Sequence, residues 1–333
     1  MRKSDARIGI REVADAARVS IATVSLALNG KGRVSEATRA RVLEAAERLG
    51  YQPDPSARSL KGGRTGVVAI AFSYRVAIPF PLTDVDYFNR AIQGATQAAL
   101  ARDCGLVIGP PTPQSDVWSR LPLDGVVVFD PVLGDPVPGQ LRKRGTPMVV
   151  VGRDPNGEFD DPNVDNDHAA GTRLALDHLW ERGARKIALF GYPLLDSFVA
   201  VTEATYRDWC AERGIGPTVL MFPPMWDRAP RQIAAELLAS SDRPDAIFCL
   251  EDDLGVASAS AASDSGLRIP EDLKIVACTD REIFPDLPLT TLELDPGHTA
   301  REAMGLLLDI VEGRSDVRAN IEIPLRLVPR ESS

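Results

Sequence analysis

The sequence predicts an α/β fold: an amino-terminal three-helix helix-turn-helix domain and a hinge helix, followed by a two-lobed body of doubly wound parallel sheets. Three observations predict it. Residues 10–50 carry three short helical patterns separated by cap and turn residues, apolar runs alternate with amphipathic stretches from Val67 onward, and charge divides along the chain.

The first helix is read in IREVADAARVS, with Val13, Ala14 and Ala17 on one face. Val19 marks a turn, and Ser20 is placed to cap a second helix, IATVSLALN, because a serine oxygen can accept from an otherwise orphaned helical N–H. Val24 and Leu28, four apart, face inward. Ile21, Ala22, Ser25, Leu26 and Asn29 then lie on the outer face, where a recognition helix meets a DNA major groove. Ser35 caps a third helix, SEATRARVLEAAERLG, which Gly50 stops. A helical cap on an enzyme is the competing reading of this stretch.

The segment YQPDPSARSLK favours the DNA reading. Asp54 can cap a helix with Pro55 at its first position, and Gly62 and Gly63 close it. Helices shorter than ~12 residues are marginal in water, so this one should form only when something holds it, as DNA and an identical helix of a second copy could do together.

In the body, GVVAIAF, GLVIG, GVVVFD, PMVVVG, KIALFG, DAIFCL and KIVACTD are continuously apolar, as strands covered on both faces must be. Amphipathic stretches such as DYFNRAIQGATQAALAR, AAGTRLALDHLWERG and HTAREAMGLLLDIVEG lie between them, giving βαβ units; REIFPD is short and reads as a loop. So long a body exceeds one core, which favours two lobes with a cleft.

The chain has 333 residues and a formal net charge of -9. Residues 1–64, however, hold 13 basic against 7 acidic residues, and the remainder 25 against 40. A basic head on an acidic body suits phosphate contact at one end only. No apolar run reaches the ~20 residues of a membrane helix. MRKSDARIGIREV lacks the apolar core of a secretory signal, so the cytoplasm is expected and a stand-alone solute-binding protein disfavoured. Cys104, Cys210, Cys249 and Cys278 show no CxxC spacing, and His168, His178 and His298 no ligand spacing. GxGxxG after the first strand, GxxxxGK[ST] and GxSxG are all missing. Glu251, Asp252 and Asp253 are consecutive, so they cannot converge on one ion. No catalytic set, cofactor or metal is therefore expected.

IREVADAARVSIATVSLALNG, RVSEATRARVLEAAERLGYQP and ARSLKGGRTGVVA resemble the LacI/GalR family of repressors, as do VDNDHAAG, DLKIVACTD, LTTLELD and the ending IPLRLVPRESS. The resemblance runs from residue 10 to 333. It implies that Ile21, Ala22 and Leu26 project toward bases, that Thr23, Ser25 and Asn29 anchor phosphates, and that Arg33 lies close to the DNA. Leu60, with Ala57 beside it, matches a hinge leucine that wedges into the minor groove. Leu26 stands where many relatives carry a polar or basic residue. Ile21, Ala22 and Leu26 cannot form bidentate bonds to a base, so readout is expected to lean on thymine methyl groups and on deformability at the operator centre.

The resemblance further implies a periplasmic-binding-protein-like body with three interlobe crossings, near Val164–Asn166, Leu292–Asp295 and Asp316–Ile321. The expected organisation is a helix-turn-helix domain over 1–52, a hinge over 53–64, a first lobe over 65–165 and 293–318, and a second over 166–292 and 319–333. In the cleft, Asp280 matches an acidic residue that accepts ligand hydrogens, agreeing with its place at the carboxyl end of a parallel strand. Tyr87 and Phe88 match an aromatic pair at the mouth, and Phe222 or Trp226 is placed to stack on a ligand; each aromatic is equally suited to core packing. Thr202 occupies a position where relatives carry arginine, and Glu251 one where they carry asparagine. A cleft with acids and no arginine clamp disfavours anions and suits a polyol, a neutral sugar or a cation. A homodimer on a near-palindromic operator is expected, without the heptad tail of a tetramer.

Overall fold

The computed structural model describes residues 8–28, 34–51, 64–73, 86–109, 117–157, 160–222, 230–279, 288–314 and 319–333. The chain divides into two units, Met1–Thr65 and Gly66–Ser333.

In the amino-terminal unit, α1 spans Ile10–Ala17, α2 Ile21–Leu28 and α3 Glu36–Leu49. The Gly9 N–H donates to Glu12 Oε2 at 2.9 Å, satisfying a donor that the helix start leaves open. Arg18 turns left-handed at φ 52°, so Val19 N–H reaches Ala14 O at 3.0 Å and the chain doubles back into the second helix. Ser20 caps as the sequence requires, its Oγ accepting from Thr23 N at 3.1 Å. Ser35 Oγ accepts from Thr38 N at 3.3 Å, and Gly50 at φ 64° ends α3. The core is small: Val13, Ala14, Ala17, Val24, Ala27, Val42, Ala45 and Ala46. Beside the expected Val24, Ala27 is buried and Leu28 packs at the periphery, because alanines let three short helices approach closely.

Among the described residues the second unit holds two six-stranded sheets. The first is built from β1 Val67–Phe72, β2 Gly105–Ile108, β3 Gly125–Phe129, β4 Met148–Val151, β5 Asn163–Asn166 and β11 Asn320–Ile323, ordered β11-β5-β4-β3-β1-β2 and parallel throughout. The second has β6 Ile187–Gly191, β7 Thr218–Met221, β8 Ala246–Cys249, β9 Lys274–Cys278, β10 Thr290–Glu293 and β12 Arg326–Val328. Its order is β12-β10-β9-β8-β6-β7, with β12 antiparallel to β10. All seven apolar runs are strands. Helices α4 Asp86–Leu100, α5 Val117–Arg120, α6 Pro136–Arg144 and α11 Pro296–Val311 belong to the first lobe. Helices α7 His168–Glu181, α8 Ser197–Glu212, α9 Pro230–Leu238 and α10 Asp252–Asp264 belong to the second. In the first lobe α4 lies against α11 so closely that a Cβ on Gly94 would sit 2.0 Å from the Gly297 carbonyl oxygen.

Two crossings fall where expected, after β5 and after β10. The third is corrected: it lies between Ile323 and Arg326, not at Asp316–Ile321. Residues 320–323 pair with β5 in the first lobe, Ile323 entering its core, so the second lobe resumes only at β12. Pro324 has no N–H to continue a ladder, which ends β11 and lets the chain change sheets. The four cysteines are buried.

Candidate DNA interface and effector cleft

The surface of α2 carries the residues expected to read DNA. Ile21 is 39% exposed and Leu26 42%, Ala22 is exposed, and Thr23 and Ser25 are half-buried. Leaving two large apolar side chains of one short helix facing water is unfavourable, so their outward presentation suits a surface made for contact. Ser20 Oγ and Thr23 Oγ1 are 2.8 Å apart, tying the helix start together, and α2 has no acidic residue in its first turn to oppose a phosphate. Asn29, Arg33, Ala57 and Leu60 lie outside the described residues.

In the second unit, parallel strands from both lobes deliver side chains at their carboxyl ends, the place where open α/β sheets bind ligands. Asp130 follows β3, Asp165 lies on β5, Tyr192 follows β6 and Glu251 follows β8. The lobes meet here. Leu133 N donates to Leu195 O at 2.7 Å, Arg153 N to Ser197 Oγ at 3.0 Å and Asn166 Nδ2 to Leu294 O at 3.0 Å. A Cβ on Gly152 would stand 3.2 Å from Ser197 Oγ and 3.5 Å from Asp130 Oδ1, which places Asp130 of the first lobe beside the start of α8 in the second.

The cluster is acidic. Burial, with the charges of Asp196 and Asp165, pushes the Asp130 carboxyl up to about 8 against the hydrogen bond from Tyr87. Glu251 is raised well above the usual carboxylate range by burial and by Asp253, Asp196 and Asp252. Burial also raises Asp196, although its side chain caps α8 by accepting from Val199 N at 2.9 Å. Asp253 is raised by burial while the Tyr192 hydroxyl donates to it. Burial would raise Asp165 too, but His168 and Arg153 outweigh it and hold that carboxyl low.

Of the residues expected in the cleft, Tyr87 donates its hydroxyl to Asp130 Oδ2 at 2.9 Å, and Glu251 joins the acidic cluster. The Phe88 ring lies 5.1 Å from Phe72 and 5.4 Å from Tyr87, and packs on the first-lobe core. Phe222 is buried in the second lobe, its ring 5.1 Å from Phe190, so core packing occupies it in this conformation. Trp226 and Asp280 lie outside the described residues. Thr202 is fully buried, its hydroxyl without a hydrogen-bond partner among the described residues. Sequence reasoning passed over Asp130, although GVVVFD carries the same strand-end carboxylate signal as KIVACTD. Arg153 and Ser197 had no local signal, since they meet across 44 positions of sequence; Asp196, three residues before the Val199 N–H it accepts from, and His168, three after Asp165, were passed over although their spacing is local.

Among the described residues no group of three His, Cys, Asp or Glu side chains is arranged for a metal ion, and no helix is long and apolar enough to cross a membrane.

Comparison with known proteins agrees with both halves. The family described as "Bacterial regulatory proteins, lacI family" matches residues 9–54, and the "Periplasmic binding protein-like domain" matches residues 176–333. The chain is 30% identical over 336 residues to the HTH-type transcriptional regulator CelR of Thermobifida fusca, covering 96% of each chain. It is 28% identical over 327 residues to the HTH-type transcriptional repressor CytR of Escherichia coli K12, covering 94% of this chain and 92% of the relative. Among solved structures, the CelR–cellobiose complex superposes with a TM-score of 0.71 at 28% identity, over 98% of this chain and 100% of the other. The lac repressor dimer bound to operator and the anti-inducer ONPF gives 0.77 at 22% identity, over 98% and 99%, a likeness of fold. The helix-turn-helix ahead of a two-lobed body, and these relatives along nearly its whole length, make the chain a DNA-binding transcriptional regulator of the lacI family.

Proposed function

We propose that the protein is a repressor that binds a near-palindromic operator as a homodimer in the cytoplasm. A sugar- or polyol-like molecule in the interlobe cleft sets its operator affinity. Its role is regulation rather than catalysis. The observation that carries the reading is the outward presentation of Ile21, Ala22 and Leu26 on a capped second helix. Ile21, Ala22 and Leu26 face bases, Ser20, Thr23, Ser25, Asn29 and Arg33 hold the backbone, and Leu60 with Ala57 enters the minor groove. A cellobiose complex of the related CelR supports a carbohydrate-like effector here. In the cleft we assign contacts to Tyr87, Phe88, Trp226, Glu251 and Asp280, and leave Phe222 to the second-lobe core. Lobe closure on the ligand shifts the population of operator-competent dimers.

The test is Leu60→Gly in the full-length protein, with specific and nonspecific duplexes titrated across salt. Loss of specific affinity with the salt-dependent nonspecific binding retained supports the reading. Equal loss of both refutes the wedge.

A further inference from the structure

The two lobes are tied by more than their crossings, and two of the ties converge on one short segment of the second lobe. We propose that Leu195 and Ser197, on either side of the Asp196 cap of α8, form a latch that clasps the strand-end loops of β3 and β4, and that Gly152 is kept without a side chain so that the latch can close. What the latch regulates is the cleft proposed above as the effector site; the latch itself rests on protein contacts alone.

Leu133, in the loop after β3, donates its N–H to Leu195 O at 2.7 Å. Gly152 N–H still donates within the first-lobe sheet, to Val164 O at 2.9 Å, but the next donor, Arg153, turns to the other lobe and gives its N–H to Ser197 Oγ at 3.0 Å. Both ties therefore run from backbone donors of the first lobe to acceptors of the second. The acceptors are held in place from their own side. Between them the Asp196 side chain, 8% exposed, accepts from Val199 N at 2.9 Å and fixes the start of α8, while Leu194 N–H closes a tight turn onto Tyr192 O at 2.7 Å. Tyr87 adds apolar contact, since it packs on the cores of both lobes.

Gly152 is an independent observation. Its φ is 79°, and a Cβ there would stand 3.2 Å from Ser197 Oγ, closer than side chains ordinarily pack, and 3.5 Å from Asp130 Oδ1. Any side chain at this position pushes directly on the latch residue of the other lobe. The bare backbone is what lets Arg153 N–H come within hydrogen-bonding distance of Ser197.

A latch made of the chain's own groups biases closure before any ligand contributes. An effector then shifts an equilibrium that Ser197 has already set, and the strength of the latch fixes how much differential binding the effector must supply. Loss of one neutral hydrogen bond of this kind should raise the open fraction about fivefold.

Amide-resolved hydrogen exchange of the full-length protein, without ligand, reads the latch directly because the two donors are themselves amides. Ser197→Ala should quicken exchange about fivefold at Arg153 and also at Leu133, whose own acceptor is untouched. Gly152→Ala should quicken Leu133 at least as much. Asp130 and Val199, whose amides are bonded within one lobe, should keep wild-type rates. Ser197→Thr keeps a hydroxyl and should restore slow exchange at both latch amides. If Gly152→Ala fails to fold, Ser197→Ala and Ser197→Thr decide the matter by themselves. Faster exchange at Arg153 alone would make Ser197 a local contact and overturn the latch; a rise at Asp130 and Val199 as well would mark general loosening and overturn it too. Affinity for a selected operator duplex is measured on the same proteins. Faster exchange at both latch amides with operator affinity unchanged leaves the latch standing and removes the coupling of closure to operator binding proposed above.

Discussion

The Tyr87 hydroxyl donates to Asp130 Oδ2 at 2.9 Å, joining a helix of the first lobe to the carboxyl end of its third strand. This bond holds in place a carboxyl that burial and two neighbouring aspartates drive up to about 8, from an ordinary 3.8. Folding thus favours the protonated form. The stabilising contribution is fully present below about pH 4 and is lost as pH rises through about 8. Asp130→Asn keeps an acceptor for Tyr87 and cannot ionise. Its melting temperature should track wild type at low pH and exceed it above pH 8, in thermal melts across that window; parallel curves for the two proteins would contradict the assignment.

The Ser20 cap anchors the second helix. Ser20→Ala should destabilise the amino-terminal unit by about 1 kcal/mol. Hydrogen exchange across residues 10–49 should quicken while that of the body is unchanged. Ser20→Asp should restore protection but weaken operator binding, because a carboxylate then faces phosphates. Undiminished protection in Ser20→Ala would show that the cap adds nothing.

Leu26 is 42% exposed on that helix. If it covers a thymine methyl, Leu26→Ala should weaken operator binding by about 1 kcal/mol, roughly fivefold, and relax the preference at one position of each half-site. Leu26→Arg should move that position toward guanine. Selection from randomised duplexes reads both outcomes, and an unchanged motif in either variant removes Leu26 from the readout.

Helices α4 and α11 approach through glycine. Gly94→Ala drives a Cβ toward the Gly297 carbonyl and should cost about 3 kcal/mol. Gly305→Ala, in the same α11 but with open space around it, should instead stabilise by about 0.5–1 kcal/mol. Urea unfolding of the two variants should shift in opposite directions; a tolerant Gly94→Ala would mean the helices can part without loss.

Much of this architecture was legible beforehand for a definite reason. Parallel strands buried on both faces must be apolar throughout, so GVVVFD and KIALFG announce themselves, and serines ahead of helical patterns mark caps because orphaned N–H groups need acceptors. The strand NVDN has no such signature and is placed only by the chain around it. NIEIPLRLV reads as one alternating run, and the change of sheet at Pro324 hid within it. The cleft was legible where a strand end carries an acid, as at Glu251. It was not legible where the site depends on pairs from separate elements, such as Arg153 with Ser197 or Tyr87 with Asp130, because their adjacency exists only in the fold.

In the proposed mode of binding, two identical chains read one inverted repeat through their second helices. Titrating the full-length protein onto duplexes with both half-sites, one half-site or neither, with the mass of each complex determined across a salt series, tests it most directly. Expected are two chains per symmetric duplex, affinity that falls steeply with salt, and loss of the specific mode when either half-site is scrambled. One chain per duplex, or equal affinity for all three DNAs, would contradict it.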